Sequence, residues 1–155
     1  MMTPEPAFDI REAMGCTCMR LRRASRQITQ LYDQHLAAAG LTASQFGLLA
    51  RLHGASLRGE EALPIGVLAE KHGMDPTTLT RNLKLLLATK LVRDGRDATD
   101  RRVRTISLTE AGRKRVIRAI PEWRKAQQQV EAALGTEATL ALNGLLDLSR
   151  AKLPV

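Results

Sequence analysis

The sequence predicts a mostly α-helical fold with a small β-wing: a winged helix-turn-helix between long N- and C-terminal helices. Three observations carry this. Apolar residues recur at three-four spacing along most of the 155 residues, which is the period of amphipathic helices. That period switches to strand-like alternation once, between Leu91 and Leu108. The net charge of +8 is also localised: residues 77–118 hold twelve Lys and Arg against four acids, while the rest of the chain balances. A localised excess of that size reads as an anion-facing surface rather than general solvation.

The elements follow in order. From Ile10 to Leu36, Met14, Cys18, Leu21, Ser25, Ile28, Tyr32 and Leu36 form one stripe, which predicts a single long helix ended by Gly40. Thr42 with Gln45 forms a capping-box pattern for a helix that buries Phe46, Leu49 and Leu52. Gly54 to Leu63 reads as a loop. Pro64 opens a short helix, Ile65 to His72, which Gly73 stops. Asp75-Pro76 then places an N-cap and a first-turn proline before a helix reaching about Thr89. Leu91–Arg93 and Arg104–Leu108 predict two short strands around a charged turn, Asp94 to Val103. Thr109 caps a long helix that repeats Val116, Ile120, Trp123, Gln127, Val130 and Leu134, with Pro121 as a point of kinking or splitting. Gly135-Thr136 breaks the chain before a leucine-rich helix, Leu140 to Leu153.

Two short helices joined by a glycine turn, the second with an exposed Thr and Arg face, form a helix-turn-helix. Short and basic side chains let such a helix enter the major groove. The residues placed to contact DNA are Thr77, Thr78, Thr80, Arg81 and Lys84 on the helix. Arg96, Arg101, Arg102 and Arg104 join them from the hairpin. An arginine-tipped hairpin suits the narrow, electronegative minor groove. Asp100 is read as orienting one of those arginines.

Several strings resemble the MarR family of winged helix-turn-helix regulators. Leu41-Thr42-Ala43-Ser44-Gln45-Phe46 is similar to the opening of that family's second helix, and Ile65-Gly66-Val67-Leu68-Ala69 to its third. Asp75 to Leu83 resembles its recognition helix. Asp100-Arg101-Arg102 matches its Asp-x-Arg wing signature, and Leu108-Thr109-Glu110-Ala111-Gly112 its Leu-Thr-x-x-Gly approach to the fifth helix. The family commonly has Gly before Leu-Val at the end of the recognition helix. Lys90 stands there instead, so the helix end must be strained or altered.

The resemblance covers residues 10–153 and implies a homodimer on a pseudo-palindromic double-stranded operator. It divides the chain into an N-terminal dimerisation helix (1–40), a winged DNA-binding domain (41–110) and C-terminal dimerisation helices (111–155). It implies a transcription regulator, a repressor released by a small aromatic or anionic effector. Candidates for the effector site are Met14, Met19, Arg23, Tyr32, His35, Phe46 and Trp123. A second reading makes Cys16 and Cys18 a redox or electrophile switch. Both are placed on the first helix, where positions two apart point about 200° away from each other, which disfavours a shared metal or an unstrained disulfide within the chain.

A rival class is a non-regulatory protein that binds anionic surfaces, membrane or DNA. Its basic residues should line an amphipathic face bordered by apolar anchors, which the hairpin cluster does not resemble. No nucleophile–base pair, carboxylate pair or phosphate-cradling glycine loop is present, so no catalytic residue or cofactor is expected. His35, His53 and His72 lack ligand spacing, so no metal is expected. The acidic, proline-containing Met1–Ile10 does not read as a signal peptide, and the expected location is the cytoplasm.

Overall fold

A computed structural model describes residues 10–153; most of the acidic N-terminal segment lies outside them. Among the described residues, seven α-helices and a three-stranded antiparallel sheet are formed. The order is α1 (Ile10–Met14), α2 (Thr17–Leu36), α3 (Ala43–Leu57), β1 (Ala62–Pro64), α4 (Ile65–His72), α5 (Pro76–Ala88), β2 (Val92–Arg96), β3 (Arg104–Leu108), α6 (Glu110–Leu134) and α7 (Thr136–Lys152). A single 3-10 turn, Ala37–Ala39, follows α2, and Gly40 closes it in the left-handed region at φ 67°.

The expected single N-terminal helix is two. Gly15 and Cys16 interrupt it, and Cys16 is extended at the start of α2 (φ −58°, ψ 119°). The apolar stripe continues across this break, so spacing alone could not reveal it. Helix α3 runs past Gly54 to Leu57, where a loop was expected, because Ala55 is wholly buried and helical hydrogen bonding continues. Its N-terminus carries the full capping box. Thr42 Oγ1 accepts from the Gln45 N–H, and Gln45 Oε1 accepts from the Thr42 N–H. Asp33 Oδ1 accepts from the Ala43 N–H at 2.7 Å and ties α2 to the start of α3.

Strand β1 is an element that sequence reasoning did not find. It pairs with β3 through Leu63 opposite Ile106, and β3 also pairs with β2 through Val92 opposite Leu108. The strand order is β1-β3-β2, which leaves β2 and the wing loop free on one edge. Helix α6 runs unbroken through Pro121. Helix α7 starts at Thr136, four residues earlier than expected, directly after Gly135 at φ 84°.

The core is one cluster. Leu48, Leu49, Leu68, Leu79, Leu83, Leu86, Ile106 and Val116 are fully buried between α3, α4, α5, the sheet and the first half of α6. This core fixes α5 against the sheet. Gly112 sits where the start of α6 meets the turn between α5 and β2: a Cβ there would lie 2.0 Å from the Leu91 carbonyl oxygen. The Leu-Thr-x-x-Gly string is therefore a packing requirement.

Candidate nucleic-acid interface

Helix α5 is defined at both ends by its own residues. Asp75 accepts hydrogen bonds from the Thr78 N–H at 2.9 Å and the Thr78 hydroxyl at 2.6 Å. The hydroxyl bond is the main reason its carboxyl stays below the ordinary carboxylate range. At the other end, the Lys90 N–H donates to Leu87 O and the Leu91 N–H to Leu86 O, at 3.0 and 2.9 Å. These two bonds form a Schellman motif. Lys90 occupies its left-handed position at φ 56°, the only non-glycine residue with positive φ among those described. The missing glycine has therefore left the helix end in place at the cost of a strained lysine.

Leu79, Leu83 and Leu86 point inward from α5, so Thr77, Thr80, Arg81 and Lys84 stand on its exposed face. With Pro76, those four line one shallow groove. A neighbouring groove is lined by Thr80, Leu83, Lys84, Leu87 and Arg104. The base of the wing and the outer face of α5 therefore share the walls of one groove. Thr78 and Thr80 are partly committed. The Thr78 hydroxyl completes the cap, and the Thr80 hydroxyl donates to Pro76 O at 2.7 Å.

On the wing, Arg96 faces Arg104 across the β2–β3 ladder. Arg104 bonds Asp94 through Nε and Nη2, the shortest contact being 2.6 Å. This bond holds the Asp94 carboxyl below and the Arg104 guanidinium above their usual ranges. Asp94 was not among the sequence candidates; its signal was an acid ten residues from an arginine across a hairpin. Arg101 and Arg102 are exposed at the tip. Asp100 Oδ1 accepts from the Arg102 N–H at 3.0 Å and from its Nε at 3.2 Å.

The charge excess does not all lie on this face. Arg113 bonds Ser56 and pairs with Glu110, and Arg115 and Arg118 both donate to the carbonyl of Ala39. These three join α6 to the 3-10 turn and α3. The basic residues left exposed on α5 and the wing are Arg81, Lys84, Arg93, Arg96, Arg101 and Arg102.

The effector candidates fall into two groups. Tyr32, His35, Phe46 and Trp123 come from α2, α3 and α6, and each contact they make involves α6. Phe46 stacks on Trp123 at 6.2 Å, Tyr32 donates to Gln127, and His35 Nε2 meets Gln129 Oε1 at 2.8 Å. Burial raises the Tyr32 hydroxyl above its ordinary value, and Glu131 adds to this. Met14, Met19 and Arg23 are exposed on α1 and α2, where Met19 and Arg23 line a groove with Arg22, Ser25 and Arg26. Cys16 and Cys18 are both free thiols, Cys16 half-buried and Cys18 exposed. Among the described residues, no group of three or more His, Cys, Asp or Glu could hold a metal ion. None of the described helices is long and apolar enough to cross a membrane.

No protein-family model and no curated protein matches the sequence. Solved structures do. The transcriptional regulator MosR of M. tuberculosis, solved in complex with DNA, is 37% identical, with 89% of this chain and 99% of that chain covered at a TM-score of 0.72. The chain belongs to the MarR family of DNA-binding transcriptional regulators. BpsR of Bordetella bronchiseptica, whose structure concerns regulation of DNA binding by 6-hydroxynicotinic acid, is 26% identical over 85% of this chain and 96% of its own, at a TM-score of 0.70. A mutant of MarR from E. coli, solved with operator DNA, superposes at a TM-score of 0.77 over 95% of this chain and all of its own. At 20% identity it shows the shared fold alone. For this MarR-family chain, the fold expected from sequence is the fold observed.

Proposed function

We propose that this MarR-family chain is a homodimeric, sequence-specific DNA-binding repressor. One observation carries the reading: the outer face of α5 and the base of the wing form one continuous surface, joined at Thr80, Lys84 and Arg104. Thr77, Thr80, Arg81 and Lys84 would address the major groove and Arg96, Arg101 and Arg102 the flanking minor groove. Thr78 and Arg104 would serve mainly by holding this surface in shape, and Asp100 by aiming Arg102. The DNA-bound state of MosR supports the assignment.

Dimerisation would be the work of α1, α2 and α7 together with the end of α6. Large apolar side chains stand exposed there, among them Leu21, Leu134, Leu140 and Leu145. The winged lobe between residues 41 and 110 would then be presented twice, reading half-sites about one helical turn, roughly 34–36 Å, apart. Fluorescence anisotropy on DNA flanking the protein's own gene tests this. Saturable binding should weaken steeply with salt. Binding that ignores salt, or that Arg81→Ala leaves unchanged, would refute it.

Release by a small aromatic or anionic ligand is supported by the stacked Phe46–Trp123 pair, by the polar groups of Tyr32 and His35 held against α6, and by the ligand named for BpsR. A thermal-shift screen of aromatic acids, followed by competition for DNA, tests it. One observation favours the second, thiol-based reading. Because Cys16 stands in the break before α2, the 200° separation expected on a continuous helix does not apply. Peroxide would oxidise one thiolate to a sulfenic acid, and the other thiol would displace water to give a disulfide. DNA release by peroxide that persists in Cys16→Ser/Cys18→Ser would exclude it.

A further inference from the structure

The wing tip carries two aspartates among its arginines, and only Asp100 has been given a role above. Asp97 is the better connected. Its Oδ1 accepts three hydrogen bonds: from the Thr99 N–H at 2.8 Å, the Thr99 hydroxyl at 2.6 Å and the Asp100 N–H at 3.0 Å. This is an Asx-type turn with the hydroxyl added. The loop is then closed on both sides. The Asp97 N–H donates to Val103 O and the Val103 N–H to Asp100 O, at 3.0 and 2.9 Å. The backbone of Asp100 is thus held at its N–H by Asp97 and at its carbonyl by Val103. From that fixed point its carboxylate reaches both the N–H and Nε of Arg102.

Arg102 itself is 93% exposed and has no packing to restrain it. An exposed arginine ordinarily samples many rotamers, and ordering it on binding is costly. From this chain of bonds we infer that Asp97 is the positioning residue of the wing, acting on DNA through Asp100 and Arg102. The inference rests on the DNA-binding reading above. It also runs against simple electrostatics. A carboxylate at the tip of a DNA-facing loop repels phosphate, so a mere charge effect would make its removal tighten binding. Positioning predicts the opposite sign.

The test uses the full-length dimer on its operator, with affinity and thermal midpoint read side by side. Asp97→Ala should weaken operator binding about tenfold, the worth of one or two lost hydrogen bonds. Its thermal midpoint should stay unchanged, because no residue of the loop belongs to the core. Asp97→Asn keeps an oxygen at the Oδ1 position and should recover most of the affinity. In an Arg102→Ala background, Asp97→Ala should add less than about twofold, since its route to DNA is already gone. Backbone amide shifts of Thr99 to Arg102 should move in Asp97→Ala and stay near wild type in Asp97→Asn.

Binding by Asp97→Ala as tight as wild type or tighter would overturn the inference. So would a full additional loss on top of Arg102→Ala, or unmoved amide shifts. If Arg102→Ala itself left affinity intact, the DNA-binding reading of the wing would fall first; the amide shifts would still decide whether Asp97 sets the loop.

Discussion

Helices α5 and α7 are both leucine-rich, yet the chain treats them differently. α5 buries Leu79, Leu83 and Leu86 almost completely and is closed by Asp75 and a Schellman turn. α7 has no side-chain N-cap, and it leaves Leu140, Leu145 and Leu148 at 66%, 62% and 52% exposure; among its buried residues only Thr139 is found. Helix α5 buries its apolar face within one chain, whereas α7 leaves most of its large leucines uncovered. Fully burying a leucine contributes about 1.5–3 kcal/mol, so several such residues leave a large driving force for a second copy. The lobe should thus respond to mutation as a folded unit, and the body as an assembly.

The largest expected effect tests the lobe. Gly112→Ala puts a Cβ against the Leu91 carbonyl oxygen, and backbone must move to admit it. It should cost about 3 kcal/mol or more and lower the thermal midpoint by over about 8 °C. A midpoint within two degrees of wild type would mean that α6 does not need this close approach.

Leu145→Glu/Leu148→Glu addresses the body. Light scattering should find monomers at concentrations where wild type is dimeric, with helical content retained and operator affinity sharply reduced. A dimer that survives both changes would place the interface elsewhere. Arg102→Ala should reduce operator affinity between about tenfold and a hundredfold without changing the midpoint, consistent with loss of a charge-assisted minor-groove contact. Smaller still is Lys90→Gly. Relief of the left-handed lysine should stabilise the lobe by about 1 kcal/mol and raise the midpoint by a few degrees.

The smallest effect concerns His72, which packs against Gly47 and is held below the ordinary imidazole range, first by burial and then by Arg51. The fold therefore disfavours its protonated form. Stability should be full above pH 6.5 and decline as pH falls through the unfolded imidazole's range. A midpoint-against-pH curve should flatten there in His72→Gln; an unchanged slope would assign the decline to other groups.

Local chemistry made the lobe legible. Asp75-Pro76, Gly73, the Thr42–Gln45 box and the alternation from Arg104 to Leu108 each act within a few residues, and each marks its element at the observed place. What was hidden depends on distant partners. Ala62–Pro64 is a strand only because β3, over forty residues later, offers it a ladder. The α1–α2 break leaves the apolar stripe in phase, so spacing could not show it. Helix α3 passes Gly54 because Ala55 is buried by tertiary packing. The site behaved similarly. The exposed threonines and arginines of α5 could be read from spacing. The diversion of Arg113, Arg115 and Arg118 to internal partners could not, because Ser56 and Ala39 lie on other elements.

In the proposed function, the joined face of α5 and wing holds duplex DNA, twice per dimer. A footprint on DNA flanking the protein's own gene tests it most directly, with wild type, Arg81→Ala and Arg102→Ala compared on the same fragment. One protected region of two half-sites about one helical turn apart is expected. Arg81→Ala should blur it, and Arg102→Ala should strip its flanks. Protection that is absent, spread evenly along the fragment, or identical in all three proteins would mean that this face does not read the operator.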